Sequence, residues 1–150
     1  MSQSLSKILL HIVFSTKKRQ RWLHTEICQE LYSYISKILE NNMCLSYQIG
    51  GTSDHIHILC RLGKTISVSK LIEEIKKSTS KWIKTKDVTF ADFYWQSGYG
   101  IFSVGSADFD VIKSYIANQE EHHRKLTFRD EFVSLLQKNN VAYQEQYLWD

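Results

Sequence analysis

Proline is absent from this chain, and glycine occurs only six times in 150 residues. Flexible linkers between domains are commonly rich in these two residues, so the sequence gives no sign of an internal domain boundary. The hydrophobic fraction of 43% is sufficient to build a core. Because a chain of this length has the usual size of one domain, we expect residues 1–150 to form a single domain.

Long apolar stretches and paired cysteines are also missing. No stretch approaches the ~20 apolar residues that a membrane-spanning helix needs, and residues 1–7 lack the charged-then-apolar plan of a signal peptide. The three cysteines form no Cys-x-x-Cys pair, which is typical of free thiols in a reducing compartment. These features predict a soluble protein of the cytoplasm with no membrane partner.

Acidic residues are absent before Glu26, although five basic residues precede it. Residues 1–86 contain 14 Lys/Arg and 6 Asp/Glu, a net charge of +8, whereas residues 87–150 contain 5 and 10, a net charge of −5. A one-sided basic surface is typical of nucleic-acid-binding proteins, although an ordinary solvated face produces the same count. The candidate DNA contacts are Lys17, Lys18, Arg19, Arg21, Arg61 and His122.

Hydrophobic periodicity predicts the element order βαββαβ, followed by further helices. The predicted strands cover residues 7–14, 43–49, 55–61 and 101–104, and the predicted helices cover residues 25–41, 67–84, 106–123 and 127–139. This order is that of an α+β, ferredoxin-like (RRM-like) fold, an antiparallel sheet with two helices on one face. A third helix would then fold over the other face.

The third predicted strand carries the sequence His55-Ile56-His57. Successive strand side chains point to opposite faces, so the two histidines share the face turned away from the apolar core. Two imidazoles side by side on a rigid strand are a common way to hold a metal ion. Paired histidines on a half-exposed strand also often do no more than hydrogen-bond to their neighbours, so this motif alone leaves both interpretations open.

The helix predicted to cover that face carries Tyr115 and Gln119. Residues four apart are neighbours on a helix surface, so both side chains can approach His55 and His57. Gln119 could add its amide oxygen to a cation on the two imidazoles, and such mixed ligands suit Mg²⁺ or Mn²⁺ and leave positions for phosphate oxygens. Tyr115 would then act as the nucleophile, although a tyrosine in a helix more often only packs.

Several motifs, in this order, resemble those of the HUH endonuclease superfamily. Asp54-His55-Ile56-His57 is similar to its His-hydrophobe-His motif, and Tyr115-x-x-x-Gln119 resembles the helix of its small single-tyrosine transposases. Two more stretches are similar to those proteins: Trp95-Gln96-x-Gly98-Tyr99-Gly100-x-Phe102-Ser103-Val104 and Asn118-Gln119-x-x-His122-His123. The resemblance extends from Leu10 to Trp149, and it fits the related group acting on repeated extragenic palindromes equally well.

The resemblance implies a DNA transposase that recognises hairpins near element ends and cuts and rejoins single strands through a 5′-phosphotyrosine intermediate. It implies that His55, His57 and Gln119 bind Mg²⁺ or Mn²⁺ and that Tyr115 is the nucleophile. It also implies a homodimer in which each active site combines the histidine motif of one subunit with the tyrosine helix of the other.

Three alternatives remain at this stage. A relaxase or rolling-circle replication initiator would keep the chemistry, but such proteins often carry extra tyrosines or domains that are missing here. A non-catalytic RRM-like module would display aromatic side chains on its open sheet face, where this chain has His55, His57 and Arg61. A structural zinc site would need Cys60 beside the histidines, but strand alternation turns Cys60 to the other face.

Overall fold

The computed structural model describes residues 2–149. The strands in this range are β1 (Leu9–Ser15), β2 (Leu45–Gly51), β3 (His55–Arg61) and β4 (Gly100–Val104). The helices are α1 (Thr25–Asn41), α2 (Val68–Lys84), α3 (Phe109–Ala117), α4 (Gln119–His122) and α5 (Phe128–Lys138). None of the helices described in this range is long and apolar enough to cross a membrane.

The four strands pair in the order β2-β3-β1-β4, and every pairing is antiparallel. This arrangement confirms the predicted ferredoxin-like sheet, with the first and third strands at its centre. All seven residues of β1 are buried, as expected for a central strand that is apolar on both faces. In the register of the sheet, Val13 of β1 lies opposite His57 of β3 on one side and Gly100 of β4 on the other.

The main hydrophobic core lies between one face of the sheet and the helices α1 and α2. Ile12, Ile56 and Ile58 from the central strands are fully buried there together with Leu31 of α1 and Leu71 of α2. The buried residues of both helices recur at the 3.6-residue spacing of an amphipathic helix, which suits a helix that covers a sheet. Burial of this face turns the alternate residues of β3, including both histidines, to the opposite side of the sheet.

The opposite face is covered by the C-terminal third of the chain. Val13 and Phe102 of the sheet pack with Phe128, Phe132 and Leu136 of α5 in a second core. Helix α3 lies against β2 and β3. The histidine-bearing face is therefore enclosed, and neither His55 nor His57 is exposed to solvent.

The single helix predicted over residues 106–123 is interrupted in the structure. It starts as a 3₁₀ turn, Ser106–Asp108, continues as α3, and breaks at Asn118, which has φ −103° and ψ 25°. Helix α4 then begins at Gln119. Asparagine side chains compete for backbone hydrogen bonds and disfavour the helix interior. The break separates Tyr115 and Gln119 onto two helical segments.

Strand β2 also differs from its prediction, because it begins and ends two residues later and includes Gly50 and Gly51, which lie beyond the predicted strand. Gly50 is buried beneath α3. A Cβ atom at Gly50 would lie 2.2 Å from the carbonyl oxygen of Ile116. Only glycine leaves room for α3 to lie directly on β2. This close approach holds Tyr115, the neighbour of Ile116, over the sheet.

We expect Gly50→Ala to push α3 away from β2, because the added methyl group would overlap the Ile116 carbonyl oxygen. Overpacking of this kind lowers the free energy of unfolding by about 1–3 kcal/mol. Urea unfolding measures the change. Gly98→Ala is the matched control, since the nearest atom to its Cβ would be 3.9 Å away. Equal stability of the two variants would contradict the close packing of α3 on β2.

Candidate active site

His55 begins β3 and points into the space between the sheet and the C-terminal helices. Its Nδ1 lies 2.7 Å from Oδ1 of Asp54 and 3.1 Å from the hydroxyl oxygen of Thr52. Burial acts to raise the pKa of the Asp54 carboxyl, but the hydrogen bond and the charge of His55 outweigh burial. The pKa of Asp54 is therefore below its usual value. The ionised Asp54 favours a proton on Nδ1 of His55. Nε2 then presents its lone pair to the interior of the site.

His57 lies two residues further along β3, and its ring stacks on that of His11 with the centroids 5.0 Å apart. Nδ1 of His57 is 2.7 Å from Nε2 of His11. Chiefly because of burial, the pKa of His57 is lowered to about 4 and that of His11 to about 3. Both imidazoles are therefore neutral at pH 7, the state in which imidazole binds a metal ion.

Glu131 of α5 reaches into the centre of this histidine cluster and is only 1% exposed. Its Oε1 lies 3.0 Å from Nε2 of His57, 3.5 Å from Nε2 of His55 and 3.0 Å from Nε2 of His123. Burial acts to raise the pKa of the Glu131 carboxyl, but hydrogen bonds from His123 and His57 lower it far below its usual value. Glu131 is therefore a buried carboxylate surrounded by imidazoles.

Tyr115 approaches the same carboxylate from α3, and its hydroxyl group donates a hydrogen bond to Oε2 of Glu131. The Tyr115 ring stands edge-on to His57, with the centroids 5.8 Å apart, and the ring of His122 lies 4.7 Å away. Burial, followed by the charge of Glu131, raises the pKa of Tyr115 well above its usual value. The phenol is therefore protonated, and it needs a proton acceptor or a cation before it can act as a nucleophile.

Gln119 completes the cluster from the first position of α4. Its Oε1 lies 2.9 Å from Nε2 of His55, and its Nε2 donates to Oε2 of Glu131 at 3.0 Å. An amide oxygen and an imidazole lone pair are both hydrogen-bond acceptors and therefore repel each other. A cation bound between them would remove this repulsion. The structure therefore brings together all four predicted residues of the catalytic centre: His55, His57, Tyr115 and Gln119.

The donor atoms of this cluster are spaced suitably for one metal ion. One ring nitrogen of His55, one ring nitrogen of His57 and a carboxylate oxygen of Glu131 all lie within 4.8 Å of one another. Ligand atoms that share a cation at about 2.1 Å lie roughly 3–3.5 Å apart, close to the two imidazole–carboxylate distances here. A cavity of about 410 Å³ lined by His11, Tyr115 and Glu131 adjoins the cluster. The residues present thus fit a divalent cation.

Of the predicted DNA contacts, His122 lies beside the cluster, with its ring centroid 4.7 Å from that of Tyr115. Lys17, Lys18, Arg21 and His122 are exposed. Arg21 lines an open cleft of about 610 Å³, and Asp54 and His123 from the edge of the cluster line it too.

Two of the predicted DNA contacts are engaged within the fold. The Arg19 guanidinium lies 5.4 Å from the centre of the Trp149 ring and donates to the Trp149 carbonyl oxygen at 3.2 Å. Arg61 donates to the carbonyl oxygen of Ser6 at 2.5 Å. Lys18 and Arg19 have φ values of 55° and 54°, a left-handed conformation that non-glycine residues seldom adopt. The segment that follows β1 and carries Lys18 and Arg19 is therefore a tight turn.

The sequence of this chain matches that of a known protein family. Residues 4–119 match the sequence profile of a family described as IS200-like transposases. The chain belongs to the IS200-like transposase family. This membership agrees with the resemblance seen in its motifs. No match was found among curated proteins.

Two solved structures share the fold of this IS200-like transposase. A candidate transposase from Deinococcus radiodurans R1 is 19% identical with a TM-score of 0.62, and the match covers 79% of this chain and 98% of that one. A REP-associated tyrosine transposase bound to a REP hairpin is 19% identical with a TM-score of 0.61, and the match covers 82% of this chain and 74% of that one.

The cluster in this IS200-like transposase is assembled within one chain. Tyr115 and Gln119 contact Glu131 and His55 of their own chain. The resemblance implies instead that the tyrosine helix meets the histidine motif of a second subunit. Within the single chain described, the close packing of α3 on Gly50 holds Tyr115 over its own sheet.

Two members of the cluster, Glu131 and His123, were not predicted from the sequence. A signal for Glu131 exists, since it lies on the apolar stripe of α5 beside Phe128 and Phe132. An acidic residue on the buried face of a helix is unusual enough to indicate a partner. His123 lies four residues after Gln119, on the same side of the turn that ends α4. The distance in sequence between Glu131 and the histidines concealed the connection.

Proposed function

We propose that this transposase cuts and rejoins single-stranded DNA at hairpin-marked ends of a mobile element, with Tyr115 as the nucleophile. One observation carries the proposal. The Tyr115 hydroxyl and the His57 imidazole bind the two oxygens of the same carboxylate, that of Glu131. The phenol is therefore held directly beside the donors that fit a cation, where a scissile phosphate would have to lie.

In the proposed step, the phenolic oxygen of Tyr115 loses its proton and forms a bond to the scissile phosphorus. The bond from phosphorus to the 3′-oxygen breaks, and that oxygen takes up a proton and leaves as a free 3′-hydroxyl group. The 5′-phosphate stays attached to Tyr115. Because one phosphoester replaces another, a different 3′-hydroxyl can reverse the step and join a new end without ATP.

We assign the cation, Mg²⁺ or Mn²⁺, to His55, His57 and Gln119. When bound, such an ion would neutralise charge on the scissile phosphate and help the phenol to ionise. Asp54 supports this role, because its carboxylate accepts from Nδ1 of His55 and so directs the Nε2 lone pair to the site. The contact of His11 with Nδ1 of His57, at 2.7 Å, restrains the orientation of the His57 ring.

The proposed DNA contacts are the basic residues and His122 named above. Lys17, Lys18 and Arg21 are exposed beside the sheet, and the Arg21 cleft reaches the histidine motif. Support for a hairpin comes from the similar REP-associated transposase, which was solved bound to one. A single strand leaving a hairpin could follow the cleft and bring a phosphate to Tyr115.

A non-catalytic RRM-like module is the alternative from another class. Such modules bind single strands on aromatic side chains of an exposed sheet face. In this chain the corresponding face is covered by α3 and α5, and its histidines are fully buried. A relaxase or replication initiator keeps the chemistry, but α3 carries a single tyrosine. The observations favour the transposase.

We expect a metal-dependent covalent adduct between the chain and labelled single-stranded DNA that carries candidate hairpins from the flank of the gene. The adduct should appear on a denaturing gel with Mg²⁺ or Mn²⁺, because a phosphotyrosine survives denaturation. Tyr115→Phe should abolish it, since phenylalanine has no nucleophilic oxygen. Tyr94→Phe is the matched control, because Tyr94 is 55% exposed and lies outside the cluster.

Binding without a covalent band on several hairpins would favour the non-catalytic module. A band that persists in Tyr115→Phe would assign the nucleophile elsewhere.

We propose that each chain supplies a complete site, while the homodimer implied by the resemblance stays a prediction that light scattering tests. Mixing His57→Ala chains with Tyr115→Phe chains should then restore no covalent band, because each chain lacks one necessary group. Recovery of the band on mixing would contradict a site built within one chain. It would support exchange of tyrosine helices between subunits.

Arg21→Ala should weaken binding of hairpin and unstructured single strands alike, because a phosphate contact carries no sequence information. The slope of log K against log salt concentration should fall by about 0.7, the value for one phosphate contact on a single strand. Lys37→Ala on α1 is the control, since Lys37 is exposed away from the Arg21 cleft. Equal slopes for the two variants would remove Arg21 from the DNA interface.

A further inference from the structure

Glu131 is a buried carboxylate without a permanently charged partner among residues 2–149. Its ion-pair partners there are His55, His57 and His123, which are charged only when protonated. No Lys or Arg side chain forms an ion pair with it in that range. Burying a carboxylate without a lasting countercharge is expensive. The position is therefore suited to an additional positive charge.

The two oxygens of Glu131 serve different groups. Oε1 lies between the two strand imidazoles, 3.0 Å from Nε2 of His57 and 3.5 Å from Nε2 of His55. Oε2 accepts hydrogen bonds from the Tyr115 hydroxyl and from Nε2 of Gln119. One side of the carboxylate thus faces the metal donors, and the other side holds the proposed nucleophile.

Apolar packing and an N-terminal cap fix the position of α5, which carries Glu131. Phe128 and Phe132 flank Glu131 in sequence and pack with Val13 and Phe102 of the sheet. The Thr127 hydroxyl caps the helix by accepting a hydrogen bond from the backbone N–H of Asp130. Because apolar anchors and a cap set the position of α5, the carboxylate is held rigidly against the histidines.

We propose that Glu131 is a bridging ligand, with Oε1 completing a two-histidine, one-carboxylate donor set and Oε2 positioning the Tyr115 hydroxyl. The inference rests on the proposed function and extends it, because it adds an anionic ligand to a site otherwise made of neutral donors. Two imidazoles and a carboxylate suit divalent transition ions such as Mn²⁺. Gln119 then has two roles. Its amide oxygen, beside Nε2 of His55, is a ligand of the ion, and its amide nitrogen holds Oε2 of Glu131 by a hydrogen bond.

The decisive measurement is Mn²⁺ affinity, determined by calorimetric titration of the full chain without DNA. Glu131→Gln keeps the size of the side chain but removes its charge, and it should weaken Mn²⁺ binding by at least about tenfold. Asp130→Asn is the matched control. It removes one negative charge from the neighbouring exposed position, where solvent screening should limit the change to less than about twofold.

The second arm separates binding of the ion from positioning of the phenol. Tyr115→Phe should bind Mn²⁺ as wild type does, because its hydroxyl contacts Oε2 and not the donor Oε1. At saturating Mn²⁺, where the ion is bound in both proteins, Glu131→Gln should form the covalent DNA adduct more slowly than wild type, because the Tyr115 hydroxyl is no longer positioned by a carboxylate. Glu131→Asp, which keeps the charge on a shorter side chain, should recover part of the Mn²⁺ affinity.

Wild-type Mn²⁺ affinity in folded Glu131→Gln, with binding lost in His57→Ala, would overturn the role of Glu131 and leave the proposed function standing. Equal Mn²⁺ affinity in His57→Ala and wild type would instead overturn the metal site of the proposed function. Circular dichroism and thermal unfolding establish that each variant is folded. If Glu131→Gln unfolds, the comparison of Glu131→Asp with wild type decides, and unchanged affinity there overturns the proposal.

Discussion

The burial of one carboxylate is the constraint on which the catalytic half of this molecule depends. Glu131 lies in a second core that would otherwise be apolar, and it is kept there by five side chains from three parts of the chain. Within residues 2–149, every buried side-chain nitrogen and oxygen has a hydrogen-bond partner. A buried network of this kind stabilises a unique arrangement only when all its members are present. The sheet, α3 and α5 are therefore held in one relative position.

Two features of the sheet make that arrangement possible. The alternation of side chains along β3 directs the isoleucines to the main core and both histidines to the other face. Gly50 on the neighbouring strand lets α3 approach until its backbone touches the sheet. Together they bring Tyr115 to the histidines of its own chain. The proposed nucleophile and the candidate metal donors therefore lie next to each other in the described chain.

The same covering helices explain why a ferredoxin-like sheet need not act as an RRM-like platform. In that class the open face binds bases directly, whereas here α3 and α5 enclose it. A cavity beside Tyr115 and the cleft at Arg21 adjoin the buried cluster. An enclosed polar cluster with a neighbouring cleft suits phosphate chemistry better than the stacking of a single strand.

Local patterns in the sequence determined the fold order, the core-facing sides of α1 and α2, and the pairing of His55 with His57 on one strand face. These features depend on periods of two and 3.6 residues, so they are readable within about ten neighbouring positions. The break at Asn118 and the extension of β2 through Gly50 were not predicted, because the close packing of α3 on the sheet decides them. The role of Glu131 also depended on tertiary structure. Its contact with His57 joins residues 74 positions apart, and no local period records which buried acid will meet which imidazole.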